Sequence, residues 1–173
     1  MSCHCHSGLD LKDWDDGAGG SATDDLTRAG FDNTFVNIIS INPRVGHIAI
    51  QGGTGADSAG KDNRFYNCTF IGSSRLFYTT SSTGLFTGGI YNTLFSGVGG
   101  LSNDASKVSS AFEFERINTT GSITSGTLAS YAERNITSIA SSFVNEKTAW
   151  NDTDYDYNIT TTALEVGEDF TAD

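Results

Sequence analysis

Short runs of β-forming residues alternate with polar turn-forming residues along most of the chain. Residues 47–50, 75–78 and 84–87 are such runs, and glycine, serine, threonine and asparagine separate them. Isoleucine, valine, threonine and aromatic residues favour strands, whereas glycine, serine and asparagine favour tight turns. The pattern therefore predicts an all-β fold of short strands.

An internal repeat is the most informative feature of the chain. Each copy contains an aromatic residue, Asp or Asn, any residue, Thr or Leu, Phe, any residue, and finally Asn or Gly. Three copies cover residues 31–37, 66–72 and 91–97, at spacings of 35 and 25 residues. A fourth, weaker copy begins at Phe114, with Ile117 in the inner position. Repeats of this length indicate structural units that stack on one another.

The repeat makes a specific prediction about the core. Alternate side chains of a strand share one face, so the first aromatic residue and the Phe four positions later should both point inward. Like residues of successive copies would then lie above one another, and we expect Phe35, Phe70 and Phe95 to stack. The final Asn or Gly suits the left-handed backbone of a sharp corner.

These copies resemble the coils of a known superfamily. Tyr66-Asn67-Cys68-Thr69-Phe70 and Tyr91-Asn92-Thr93-Leu94-Phe95 are similar to coils of right-handed parallel β-helix proteins, the pectate-lyase-like superfamily. That superfamily includes tailspikes, fibres and other surface proteins of bacterial viruses. The resemblance covers residues 31–121 and implies a short right-handed parallel β-helix, a solenoid. A sandwich of similar strands is the alternative.

The two ends of the chain differ from this centre. We divide it into an N-terminal arm with a short capping helix (1–30), β-helix coils (31–126) and a C-terminal helix or strands with an acidic tail (127–173). Thr23 and Gly30 suit the start and stop of the short helix. Apolar residues between 127 and 144 recur at helical spacing, and Ser130 with Glu133 fits a capping box. Residues 136–137 and 141–144 also fit strands.

Charge and length exclude several classes of function. The chain has 173 residues, enough for one domain, and a net charge of −11. An acidic surface repels phosphate backbones and anionic lipids, so we expect neither nucleic acid nor membrane as a partner. No signal peptide or apolar run of transmembrane length is visible, and the three cysteines do not form a disulfide framework. We expect a protein made in a host cytoplasm.

Cys3, His4, Cys5 and His6 form the one dense cluster of metal-ligand side chains. In an extended arm the two Cys point to one side and the two His to the other. His4-Cys5-His6 resembles the His-x-His element of trimeric phage spikes, in which three chains supply six imidazoles to one iron. We therefore expect a transition metal at the N-terminus, with a mobile terminus that binds nothing as the alternative.

Three other motifs are weaker indications of a functional site. Residues 52–60 match a calcium β-roll nonapeptide, but a single copy indicates a glycine-rich loop. Residues 152–158 resemble the start of an EF-hand but have Tyr157 where glycine is required, which indicates a solvated face. Glu113 and Glu115 share a strand face, and with Arg116 they could suit a polysaccharide site. Exposed charges are ordinary on such a surface, and we expect no enzyme.

The combined expectation is a structural protein of a virus particle. A short solenoid leaves its ends open, and oligomerisation is the natural remedy. We expect a homotrimer that decorates the capsid as a cement protein or forms a head or tail fibre or spike. Its partners would be the major capsid protein or other virion proteins, and cell-surface glycans on the host. A carbohydrate-binding or polysaccharide-cleaving β-helix of the tailspike kind, or an adhesin-like module, is the alternative.

Overall fold

The computed structural model describes residues 7–12, 32–51, 61–79, 85–139, 143–145 and 156–159. In these ranges the chain is all-β, as the sequence predicts. The strands are β1 (Ser7–Lys12), β2 (Thr34–Val36), β3 (Ile39–Ile41), β4 (Gly46–Gln51), β5 (Asn63–Tyr66), β6 (Thr69–Ile71), β7 (Phe77–Thr79), β8 (Gly88–Val98), β9 (Glu113–Gly121), β10 (Ala132–Ser138), β11 (Phe143–Asn145) and β12 (Asp156–Ile159).

Two short helices complete the described part of the chain. A 3-10 helix covers Ala105–Lys107, and α1 covers Ser125–Leu128. Neither of these two helices is long and apolar enough to cross a membrane.

All strand pairs in the two larger sheets are parallel. One sheet has the order β1-β4-β7, and the other runs β10-β9-β8-β5-β2, with β3 pairing with β6 and β6 with β8. Paired residues lie 30, 25, 24 and 19 positions apart, as in Thr34 with Arg64, Asn63 with Gly88, Gly89 with Glu113, and Glu113 with Ala132. The separate pair of β11 and β12 is antiparallel.

The register confirms the 25-residue spacing between the second and third copies of the repeat. Tyr66 pairs with Tyr91, and Phe70 pairs with Phe95. The rings of Phe70 and Phe95 lie 5.9 Å apart, and both side chains are buried. The fourth copy contributes Ile117 to the core, also as predicted.

The predicted 35-residue spacing of the first copy is wrong. Phe35 pairs with Phe65 rather than Phe70, and Ser40 occupies the position above Phe70. The rings of Phe35 and Phe65 stack at 4.9 Å, and Phe35 is only half-buried. Hydrogen bonding along the strands sets a spacing of 30, which the matched residue types of the repeat did not indicate.

The core lies between the sheets and is rich in phenylalanine. Its fully buried aromatic side chains are Phe65, Phe70, Phe77, Phe86, Phe95, Phe112 and Phe114. Phe86 contacts Phe77 and Phe112, with ring centroids 5.0 Å away in each case. Ile48 and Ile50 from β4 are also buried, which confirms the predicted strand at residues 47–50. Phe86 forms a single β-bridge with Val108, so residues 85–87 are not a longer strand.

Left-handed residues recur at equivalent positions in successive strands. Asn37, Asn67 and Asn92 have φ angles of 60°, 54° and 48°, and Arg116 and Asn135 extend this column. A second column contains Asn42, Gly72, Gly97 and Gly121. The prediction that Asn and Gly form left-handed corners is confirmed. Asparagine and glycine tolerate this conformation better than other residues do, which explains their recurrence.

Asn37→Ala is expected to lower the free energy of unfolding by about 1 kcal/mol, because the left-handed backbone conformation is sterically unfavourable for alanine. Asn37 is exposed, so little packing changes. Asn37→Gly should leave stability within about 0.5 kcal/mol. Urea unfolding measures both variants, with the exposed, extended Thr34→Ala as control. Equal stability of the Ala and Gly variants would contradict the proposed role of this corner.

The C-terminal part contains strands where helical spacing favoured a helix. Ala132–Ser138 forms β10, which pairs in parallel with β9, so the helical interpretation is wrong for these residues and the strand alternative is correct. Glu133 therefore lies in a strand and not in a capping box. The inward side chains of this segment are only half-buried, so a helix would gain little from their packing. Backbone pairing with β9 therefore decides the structure of these residues.

Part of the predicted N-terminal arm is a strand. Ser7–Lys12 pairs in parallel with β4, with Leu9 beside Ile48. The short helix predicted for residues 23–30 lies outside the described residues, as do residues 52–60 and most of the acidic tail.

Candidate functional site

A shallow groove crosses the corner between successive strands on the outer surface. Its volume is about 260 Å³. Parallel register places equivalent residues of β5–β6, β8 and β9 side by side here. The lining residues are Asn67, Cys68, Thr69, Asn92, Thr93, Leu94 and Asn118.

Asparagine amides give the groove its polar character. Asn67 and Asn92 occupy the same left-handed corner position, and Asn92 Nδ2 donates a hydrogen bond to Asn67 Oδ1 at 2.6 Å. The backbone below them is held by Thr93, whose Oγ1 accepts from Cys68 N and donates to Tyr91 O. The amides therefore form an ordered row that can both donate and accept hydrogen bonds.

Two tyrosines stand beside this row. Tyr66 and Tyr91 directly precede the two asparagines, and their rings stack at 4.8 Å with planes 15° apart. Both are half-buried, although alternation along the repeat placed them in the core. The intervening left-handed Asn reverses the alternation, so Phe65 and Phe70 point inward instead of Tyr66. An Asn directly after an aromatic residue was the signal that could have revealed this.

Tyr91 is also tied to the next strand. Its hydroxyl donates a short hydrogen bond to Glu113 Oε2. Burial raises the pKa of the Tyr91 phenol, and the hydrogen bond and negative charge of Glu113 raise it further. The phenol therefore stays protonated and serves as a hydrogen-bond donor rather than as a base.

The carboxylates that the sequence singled out lie at the same level. Glu113 accepts the hydrogen bond from Tyr91, and Glu115 lies 3.8 Å from Arg116 Nε. Glu115 pairs with Tyr91 in register, so the structure brings all of these groups onto one outer face. Each carboxylate has a partner that orients it, and the arrangement suits hydrogen bonding to a polar ligand.

A buried histidine lies on a different part of the fold, and sequence reasoning missed it. His47 is fully buried, with Nδ1 2.9 Å from Ser40 Oγ and Nε2 2.9 Å from Gly72 O. A carbonyl can only accept, so Nε2 carries the proton and Nδ1 accepts from the Ser40 hydroxyl. Burial lowers the pKa of His47 to about 4, and the bond to Gly72 only partly offsets this. The imidazole is neutral and structural at pH 7.

The predicted metal ligands Cys3, His4, Cys5 and His6 lie outside the described residues, as do residues 52–60, Asp152 and Asp154. Asp156 begins β12. Within the described ranges, no three His, Cys, Asp or Glu side chains converge as a metal site would require. Cys68 is a buried free thiol whose pKa is raised by burial.

Comparison with protein-family models, with curated proteins and with solved structures finds no match to this chain.

Proposed function

We propose that this chain is a non-catalytic structural protein of a virus particle, built as a short right-handed parallel β-helix. The observation that carries the proposal is the continuous parallel register of β2, β5, β8, β9 and β10, with residue spacings of 19–30. Parallel strands joined by crossover connections are right-handed in nearly all proteins. Recurring left-handed corners and stacked side chains support the same solenoid.

The proposed role is that of a homotrimeric capsid decoration protein, or of a head or tail fibre or spike. Each coil of a solenoid contacts only its neighbours, so a solenoid this short gains stability from association with further chains. The resemblance to phage fibres and spikes supports the virion as its location. The proposed partners are the major capsid protein or other virion proteins.

Mass in solution tests the oligomer, and particle composition tests the location. Light scattering of the full chain is expected to give three times its 18.4 kDa. A stable monomer at micromolar concentration counts against the trimer. Mass spectrometry of purified particles from an infected host should detect the chain in stoichiometric amounts. Its absence from those particles would refute the virion assignment.

The N-terminal cluster Cys3, His4, Cys5 and His6 is proposed as a metal site of the trimer. Three chains bring six imidazoles together, enough for an octahedral transition metal. Elemental analysis is expected to find one metal ion per three chains, and chelation should lower the melting temperature. Less than one ion per trimer with no effect of chelation would refute the site.

A second candidate function, glycan binding, is favoured by the groove itself. Asn67, Asn92 and Asn118 line it, and Tyr66 and Tyr91 stand beside it. Amides suit the hydroxyl groups of sugars because they donate and accept. Titration with host-surface polysaccharide tests this: Asn92→Ala should weaken binding about 10-fold, while the distant Ser106→Ala should not. A polysaccharide-cleaving enzyme would release reducing ends during the same incubation.

A further inference from the structure

Exposed apolar side chains are concentrated at one edge of the larger sheet. Val36 is 49% exposed, Ile39 70% and Ile41 41%. These three residues, which we name the β2–β3 surface, are three of the four large apolar side chains exposed in the described ranges. Clustered exposure of this kind marks an interaction site more often than scattered exposure does.

The residues at the same outward positions in the neighbouring strands are polar or less exposed. In the next strands, Thr69 replaces Ile39 and Ile71 replaces Ile41, and Ile71 is buried. Two strands further on, Asn118 aligns with Thr69 through Leu94. Within the described strands of this sheet, large exposed apolar side chains are therefore confined to β2 and β3. Within the described residues these strands also have hydrogen-bonded neighbours on one side only, β5 and β6.

Charge favours a second copy of this chain as the occupant. The described residues contain eight Lys and Arg and eight Asp and Glu, so their net charge is zero. The remaining residues carry the whole net charge of −11. A contact between two copies through the described strands therefore brings no net like charge of these residues together.

Charged residues flank the β2–β3 surface in the sequence, Asp32 before it and Arg44 after it. Asp32 precedes it, with a side chain 80% exposed and 3.6 Å from Arg64 of the same chain. Arg44 follows it and is exposed. In a ring of copies around a symmetry axis, the leading end of one surface meets the trailing end of the next. If the surface runs head to tail around the axis, Arg44 of each copy lies beside Asp32 of its neighbour, and the same contact repeats throughout the ring.

We infer that the β2–β3 surface is the contact between copies of this chain in the proposed trimer. This inference rests on the proposed oligomer and specifies which surface forms it. Val36, Ile39 and Ile41 of neighbouring chains cluster and exclude water, and Ile39, the most exposed of them, lies at the centre. The apolar contact supplies the association energy, and Arg44 and Asp32 set the order of the chains.

Sedimentation of the full chain over a range of concentrations tests the inference with Ile39→Asp. The variant is expected to raise the dissociation constant of the oligomer about 30-fold or more, the size of a central interface residue. Leu85→Asp is the matched control: Leu85 is 48% exposed but lies outside this surface, and the oligomer should be unchanged. Ile39→Thr, which copies Thr69 in the equivalent position, gives a milder variant compatible with a strand.

The outcomes separate the inference from the proposed oligomer. A wild-type oligomer that Ile39→Asp and Ile39→Thr leave intact overturns the inference alone. If Ile39→Asp instead lowers the melting temperature while the oligomer persists, the surface is covered by its own chain, and the inference also fails. The inference also fails if the wild type captures a different virion protein, Ile39→Asp does not, and the mass of the oligomer is the same for both. A monomeric wild type overturns both.

Discussion

Phe95→Ala is expected to lower the free energy of unfolding by about 3–5 kcal/mol. Phe95 is fully buried, and its ring lies 5.9 Å from that of Phe70. Thr119 occupies the aligned position on the other side. Neighbouring strands hold both residues in register and cannot close over the missing ring, so truncation leaves a cavity. Urea unfolding, analysed with a common slope for both proteins, measures the loss.

Phe35→Ala provides the matched comparison. The repeat predicted equal roles for Phe35, Phe70 and Phe95, but Phe35 is half-buried and contacts the ring of Phe65 at the edge of the sheet. We expect a loss of about 2 kcal/mol, from partial burial and one aromatic contact. Losses of equal size at Phe35 and Phe95 would contradict the register described above. An unchanged midpoint of urea unfolding for Phe95→Ala would contradict the placement of Phe95 in the core.

Acidification is expected to remove about 3 kcal/mol of stability through His47. Its pKa is about 4 in the folded chain and 6.5 in the unfolded chain, so the unfolded chain binds the proton more tightly. The contribution of His47 is therefore complete above pH 6.5 and is lost as the pH falls toward 4. A proton on Nδ1 also ends its role as acceptor for the Ser40 hydroxyl.

His47→Gln isolates this contribution from every other effect of acid on the chain. The Gln amide can keep the hydrogen bond to Gly72 O but takes up no proton. At pH 7 the variant should be less stable than the wild type, because the bond to Ser40 and the packing on Phe70 are altered. Urea unfolding at pH 7, 5.5 and 4 should show the stability of the variant relative to the wild type rising by about 3 kcal/mol. A constant difference would rule out His47 as the origin.

Local residue chemistry was sufficient to predict the class of fold and one of its spacings. Short β-forming runs between Gly, Ser and Asn indicated an all-β chain, and the Tyr-Asn pairs at 66–67 and 91–92 indicated the 25-residue register. Left-handed corners at Asn37, Gly72 and Gly97 followed from the same chemistry. These features depend on residues close together in the chain, where backbone preferences act directly.

The inward or outward direction of the aromatic residues needed the corner geometry. Alternation alone placed Tyr66 and Tyr91 in the core, but each is followed by a left-handed Asn that turns the chain. The turn moves Phe65 into the core and leaves the tyrosines as a stack on the outer surface. The alternation of a strand assigns successive residues to opposite faces. It therefore gives the wrong face for residues that lie beyond a turn.

Only the tertiary structure determined which polar side chains interact on the surface and in the core. Tyr91 meets Glu113 across 22 residues, and His47 meets Gly72 across 25, because strand hydrogen bonding sets which residues face each other. The first register of 30 rather than 35 shows the same dependence. Residue types determine which segments form strands and corners, but pairing between distant strands depends on backbone hydrogen bonds that form with almost any side chain. The partner of each side chain therefore emerges only when the strands are aligned.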